Sequence, residues 1–171
     1  NTKNSRERIF ALQKILNDAG LQKGVNLALQ SLNEETLRSI ERSNIDNGTY
    51  TELQRLFTEN NIATFTDLII ALPGETYETF TRGVAEIIAN GQHNRIQFIN
   101  LTVLENTLMA KPEFQQEHGL AIVETAMVPH HSSPGATGDI VETQQLVTAT
   151  RSMPAEDWIR TRVFSWLASL L

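Results

Sequence analysis

Three segments with the pattern of β-strands, separated by helical segments, constrain the fold of this chain most. The strand-like segments are residues 25–29, 64–72 and about 95–104, and apolar side chains follow helical spacing between them. Neighbouring parallel strands need a crossover connection, which is usually a helix. The order therefore predicts an α/β fold with a parallel sheet. On pattern alone it fits consecutive units of a (βα)8 barrel and a doubly wound sheet equally well.

Amphipathic segments predict the helices around these strands. A first helix is expected to end at Gly20, two helices lie between residues 33 and 59, and another runs from Thr76 to Asn90. The first strand alternates, so that Val25, Leu27 and Leu29 point to one side of the sheet.

The chain ends in a further predicted helix. Pro154 suits the first helical residue, and the acidic residues Glu156 and Asp157 follow in the first turn, where they oppose the helix dipole. We expect this helix to pack through one apolar face, which consists of Trp158, Val163, Trp166, Leu167 and Leu170. The helical pattern runs to the end without a stop signal, and the chain begins at Asn1 without an initiator Met. These features favour a piece of a longer protein over a natural full-length chain.

Composition removes several classes of function. A net charge of −6 argues against a nucleic-acid partner, and the absence of cysteine excludes disulfides, Cys-ligated zinc and Cys-ligated iron–sulfur clusters. No signal peptide or long apolar run points to a membrane, so we expect a cytoplasmic protein. The adjacent His130 and His131 could not easily reach one metal ion together. We predict no metal site in this chain.

Polar residues at the ends of the predicted strands are the candidates for a site. Ligands of α/β proteins meet the carboxyl ends of parallel strands. Gln30 and Ser31 end the first strand, and Asp67 lies within the otherwise apolar second strand. A carboxylate and an amide facing one cavity would suit a ligand with vicinal hydroxyls. From spacing alone, a polar pair that closes a layer of the core is the favoured interpretation, and ligand binding is the alternative.

Four segments resemble radical S-adenosylmethionine enzymes, especially the group with a cobalamin-binding domain. Residues 23–37 resemble the fourth-strand region of that superfamily, and 67–76 resemble its fifth strand and the following loop. Residues 98–107 are similar to its sixth strand, and 151–158 resemble the C-terminal extension of the cobalamin-dependent group. The order and spacing of these segments make the resemblance specific, and it covers nearly the whole chain.

The resemblance implies roles for individual residues. Gln30 and Asp67 match positions that bind the ribose hydroxyls of S-adenosylmethionine in some members, and Ile69 matches an apolar residue beside the adenine. Ser31, next to Gln30, joins them as a candidate cofactor-binding residue. Ala71 replaces a Gly that many members carry in the second strand. This change should still leave room for the ligand.

The resemblance also implies an incomplete barrel. A whole (βα)8 barrel needs about 250 residues, whereas this chain has 171. We therefore expect residues 1–104 to form the C-terminal half of a partial barrel, with about three parallel strands and flanking helices. Residues 105–171 should form an irregular extension that wraps on the barrel and ends in a helix.

The same resemblance limits what this chain does alone. The family holds a [4Fe–4S] cluster with three closely spaced cysteines, and the chain has no Cys. We predict a fragment of a radical S-adenosylmethionine enzyme that keeps part of the S-adenosylmethionine pocket and is inactive alone. The cluster, with cobalamin as a further candidate cofactor, would belong to the full-length protein only.

Two kinds of partner follow from a half-barrel. The missing N-terminal part of the same protein would complete it, and exposed edge strands would favour self-association. The alternative is a non-enzymatic α/β module that binds a nucleoside or another protein, with a closed core and capped strand edges.

Overall fold

A computed structural model of the chain describes residues 6–21, 24–43, 47–92, 94–127 and 142–170. The first part contains α1 (Arg6–Asp18), β1 (Val25–Asn26), α2 (Glu34–Ser39), α3 (Asn47–Glu59), β2 (Thr64–Ile70), α4 (Tyr77–Ala89) and β3 (Arg95–Asn100). The second part contains β4 (Thr102–Val103), a 3-10 turn (Leu108–Ala110), α5 (Pro112–His118), β5 (Ala121–Ala126), β6 (Thr143–Ala149) and α6 (Ala155–Ala168).

The predicted parallel sheet is present, in the order β1-β2-β3. Helices connect its strands, so the predicted α/β class is confirmed. The first strand is shorter than its alternating pattern suggested, because regular pairing stops at Asn26 and resumes as a single bridge between Gln30 and Leu68. The third strand stops pairing with β2 at Asn100, and the chain then enters a second sheet.

The two faces of the parallel sheet have different environments. On β2 every second residue, Thr64, Thr66, Leu68 and Ile70, is buried, whereas the alternate residues are half-buried. Helix α3 contributes Tyr50, whose hydroxyl lies 2.9 Å from the Thr66 hydroxyl, on this buried side. The helices therefore cover one face, and the other face is left for the candidate site.

The second sheet is antiparallel, in the order β4-β6-β5. It lies within residues 105–153 for the most part, where the sequence predicted an irregular extension, and it is the main element that the sequence analysis missed. The extension does end in a helix, as predicted, and Pro154 is its N-cap. Among the described residues, no helix has both the length and the apolar character required to cross a bilayer.

Helix α6 presents most of its predicted packing face to solvent. Val163, Trp166, Leu167 and Leu170 are 54%, 64%, 52% and 65% exposed, so the prediction is wrong for these residues, and only Trp158 is half-buried against the core. The buried residues of α6 are Thr161 and Ser165. Their hydroxyls bond to backbone carbonyls one turn earlier, at 2.7 Å each, so these small polar side chains are satisfied within the helix.

Residues with a left-handed backbone follow the first two strands. Gln30 has φ of +66° and Ala71 has φ of +68°. Side chains with a Cβ are strained in this region. Both residues adopt it where the chain leaves the sheet, at the edge where the site is expected.

The strain at Ala71 can be measured by replacing it with glycine. Relief of the left-handed conformation should contribute about 1–2 kcal/mol. A lost buried methyl costs about 0.8 kcal/mol, and the added freedom of the unfolded chain costs about 0.4–1 kcal/mol. The two sides nearly cancel, so we expect Ala71→Gly to leave the free energy of unfolding close to that of the wild type, within about 0.8 kcal/mol in either direction, measured by denaturant titration.

The matched control is Ala85→Gly, in the exposed middle of α4. It should lower the free energy of unfolding by about 0.8–1 kcal/mol, because glycine is a poor helix former. A loss at Ala71 equal to that at Ala85 would contradict the strain.

Glu75 links the segment after β1 to the first turn of α4. Its side chain is 1% exposed. The Ser31 hydroxyl donates to one carboxyl oxygen, and the Thr79 hydroxyl donates to the other at 2.5 Å. Burial raises the pKa of the Glu75 carboxyl, and the hydrogen bonds from Ser31 and Thr79 lower it to a smaller extent. The neutral carboxyl is therefore more favoured in the folded protein than in the unfolded chain.

The raised pKa predicts a pH-dependent stability. Because the folded-state pKa of Glu75 exceeds the unfolded one, its contribution is complete below the unfolded pKa and is lost as pH rises through the folded pKa. We expect the stability of the wild-type protein, relative to Glu75→Gln, to fall over this interval. Denaturant unfolding of both proteins across a pH series measures the difference. A difference that stays constant with pH would argue against a raised pKa of the buried Glu75 carboxyl.

Candidate functional site

A cavity of about 320 Å³ opens at the carboxyl ends of the parallel strands. Its wall combines the end of β1, the end of β2 and the segment that follows β3, as expected for a ligand site in an α/β fold. The lining residues are Gln30, Ile40, Arg42, Ile69, Leu72, Leu101, Thr102, Leu104, Thr107, Leu108 and Met109. Most of these side chains are apolar, and a few polar groups lie among them, which is typical of small-molecule sites.

Larger hollows lie elsewhere on the described surface. One of about 680 Å³ separates the open edge of β3 from α6, and another of about 660 Å³ lies on the second sheet. None of the predicted site residues lines either hollow. The smaller cavity is therefore the candidate site.

Gln30 and Ile69, which the sequence selected, both line this cavity. Backbone hydrogen bonds hold them together, because the Gln30 N–H donates to the Asp67 carbonyl at 2.9 Å and the Ile69 N–H donates to the Gln30 carbonyl at 2.8 Å. The N–H and the carbonyl of Gln30 thus both bond to β2.

Asp67 shares the half-buried face of β2 with Ile69 but does not line the cavity itself. The Asn26 amide donates to one carboxylate oxygen at 2.5 Å. The other oxygen is buried and has no hydrogen-bond partner among the described residues. An unpaired buried carboxylate oxygen is costly, and a hydroxyl group from a ligand would satisfy it.

Ser31 lies behind the wall of the cavity. It is 2% exposed, and its hydroxyl points to Glu75 and accepts the Asn33 N–H at 3.0 Å. It is not among the residues that line the cavity, so its predicted contact with a cofactor stays a prediction. The left-handed backbone at Gln30 separates the two neighbours, and this turn could not be read from the strand pattern.

Residues that the sequence analysis missed complete the wall. Arg42 is the charged side chain among the lining residues, and Thr102 and Thr107 add hydroxyls from the segment after β3. Thr102 lies two residues after the end of β3, and such a position is a signal for a site in this fold class. Arg42 follows α2 and carried no such signal.

The described residues give no metal site. No group of three or more His, Cys, Asp or Glu side chains comes together in the described part of the chain. His130 and His131 lie outside the described residues. The cavity offers amide, hydroxyl and guanidinium groups, which suit an organic ligand.

Two curated proteins are similar to this chain, although no protein-family model matches it. The cobalamin-dependent radical SAM methyltransferase TokK of Streptomyces tokunonensis is 34% identical over 162 residues, which are 95% of this chain and 24% of TokK. The 2-(S-pantetheinyl)-carbapenam-3-carboxylate methyltransferase of Streptantibioticus cattleyicolor is 32% identical over 157 residues, which are 92% of this chain and 23% of that protein.

The fold has a counterpart in a solved structure. The radical S-adenosylmethionine methyltransferase TsrM from Kitasatospora setae, solved with tryptophan substrate and a SAM analogue, matches 93% of this chain and 34% of its own length, with a TM-score of 0.59 and 20% identity. The chain spans about a quarter of the length of the curated relatives it matches. The predicted resemblance is confirmed: this chain is similar to one part of the radical S-adenosylmethionine enzymes, in the group of the cobalamin-dependent methyltransferases.

Proposed function

We propose that this chain forms the adenosine-binding wall of the S-adenosylmethionine site in a cobalamin-dependent radical SAM methyltransferase. The observation that carries the proposal is the cavity at the ends of β1 and β2, which Gln30 and Ile69 line together. The relatives TokK and TsrM, as their names state, are radical SAM methyltransferases.

The chemistry of the wall suits an adenosyl group. Ile69, Leu72 and Leu101 provide apolar surface for a flat base. The Gln30 amide can donate and accept, and the free oxygen of Asp67 can accept, so both can bond to the two ribose hydroxyls. Asp67 precedes Ile69 by two positions on the same face of β2. A ribose that bonds to Asp67 would therefore extend from the cavity along the strand.

Other parts of the enzyme would supply the remaining groups. The chain contains no cysteine, so none of its side chains could hold a [4Fe–4S] cluster through a thiolate. When bound and reduced by such a cluster, S-adenosylmethionine supplies radical chemistry, and this chain would bind and orient its adenosyl end. We therefore expect the chain alone to be inactive, and its partner to be the rest of the same cytoplasmic enzyme.

The proposal predicts a ribose-specific effect at Asp67. We expect the chain to bind S-adenosylmethionine and 5′-deoxyadenosine weakly, and Asp67→Ala to lower both affinities about tenfold or more, because a hydrogen bond to a charged group contributes about 1.5–3 kcal/mol. The binding of 2′,3′-dideoxyadenosine should hardly change, since it lacks the hydroxyls. Isothermal titration calorimetry measures all three ligands.

The matched control is Asp18→Ala, which removes an equal charge from an exposed position of α1. It should leave all the affinities unchanged. An equal loss for 5′-deoxyadenosine and the dideoxy compound would mean that Asp67 does not contact the ribose. No binding by the folded wild-type chain would count against a functional adenosine wall in this chain.

A further inference from the structure

Two hydrogen bonds of the Gln30 peptide hold the corner at Gln30 on β2, but no regular ladder surrounds them. The ladder between β1 and β2 ends at Asn26, and the next bridge is at Gln30 itself. Gln30 is also in the left-handed region, with φ of +66°. Such a conformation costs about 1–3 kcal/mol and persists only where the surroundings enforce it. Besides the two peptide hydrogen bonds to β2, contacts of the neighbouring residues can enforce this conformation.

The buried carboxyl of Glu75 supplies such a contact without lining the cavity. It bonds to the hydroxyl of Ser31, the residue directly after Gln30. Its other oxygen accepts from Thr79 at 2.5 Å, in the first turn of α4. Glu75 thus connects Ser31 to the first turn of α4. The N-cap of this helix is Thr76, whose hydroxyl accepts the Thr79 N–H at 3.1 Å.

The loop that carries Glu75 is also fixed from the extension. The Gly74 N–H donates to the Ser152 hydroxyl at 3.0 Å, and Ser152 lies between β6 and α6. Glu75 is therefore fixed through its carboxyl, which bonds to α4, and through its loop, which bonds to the segment before α6. Movement of Ser31 away from this position would break its hydrogen bond to Glu75.

We propose that Glu75 is a positioning residue for the ligand: it fixes Ser31 and, through the adjoining peptide, holds Gln30 in the conformation that faces the cavity. The identity of the ligand rests on the proposed function, whereas the contact between Glu75 and Ser31 does not. A side chain that only stabilised the fold would affect all the elements of the sheet to a similar degree. A positioning residue affects the corner more than the rest.

Amide hydrogen exchange tests the geometry without any ligand. The Gln30 and Ile69 amides report the corner, because both take part in its hydrogen bonds. The amides of the β2–β3 ladder report the sheet as a whole. In Glu75→Ala and in the milder Ser31→Ala, we expect the corner amides to exchange about tenfold faster relative to the ladder amides.

Two further variants separate positioning from general stability. In Glu75→Gln, the ratio of corner to ladder exchange rates should stay close to that of the wild type, because the new amide can accept from one hydroxyl and donate to the other. Ile87→Val removes a methyl group from a fully buried residue near the far end of α4 and should weaken the fold without changing the ratio.

The affinity for 5′-deoxyadenosine links the corner to the ligand. It should fall about tenfold in Glu75→Ala, and stay within about threefold of the wild type in Glu75→Gln and Ile87→Val. Corner amides that follow the ladder amides in both Glu75→Ala and Ser31→Ala would overturn the inference, as would an unchanged affinity in Glu75→Ala. If the wild-type chain binds no nucleoside, the proposed function fails, and the exchange ratio alone decides the role of Glu75.

Discussion

The parallel hydrogen bonding of β2 on both of its sides determines the rest of the structure. β2 pairs with β1 and β3 in the same direction, so the ends of all three strands meet at one edge. Its alternating side chains assign one face to the helices and the other to the site. Gln30 reaches the cavity because its peptide bonds to β2 at Asp67 and Ile69. Without the central strand, neither the helical layer nor the cavity wall would be placed.

The sequence predicted this part of the fold because its signals are local. Alternation in β1 and β2 and amphipathic spacing in α3 and α4 each need only a short window. The shared face of Asp67 and Ile69 follows from the period of two alone. The individual contacts with S-adenosylmethionine came from the resemblance and stay predictions, while the structure places Gln30 and Ile69 on one cavity.

The features that the sequence did not predict depend on contacts distant in the chain. β5 is largely exposed, so it lacks the apolar alternation that marks a strand, and its pairing with β6 spans a long connection. The left-handed conformation of Gln30 turned Ser31 away from the cavity, and nothing in the local pattern required it. The role of Glu75 depends on a partner 44 positions away, since Ser31 is its hydrogen-bond donor.

Helix α6 illustrates why hydrophobicity alone misassigns a packing face. Thr161 and Ser165 can be buried because each hydroxyl bonds to the backbone of its own helix, so neither leaves an unsatisfied group. Their small size also allows close approach to Met153, whose sulfur lies 3.8 Å from the Thr161 hydroxyl. The apolar residues were the stronger signal in the sequence, but the small polar residues make the contact.

The proposed function separates adenosine binding from redox chemistry, and this separation has a physical basis. Adenosine recognition needs shape and hydrogen bonds, which strand ends and a buried carboxylate can supply locally. Radical chemistry needs a cluster, and cluster ligation needs thiolates, none of which occur in this chain. A wall that contacts only part of a ligand binds weakly by itself, because the whole ligand loses its freedom of motion while only some of its contacts are formed. Once other groups hold the rest of the ligand, its freedom of motion is already lost. The contacts of this wall then add their full free energy to the affinity.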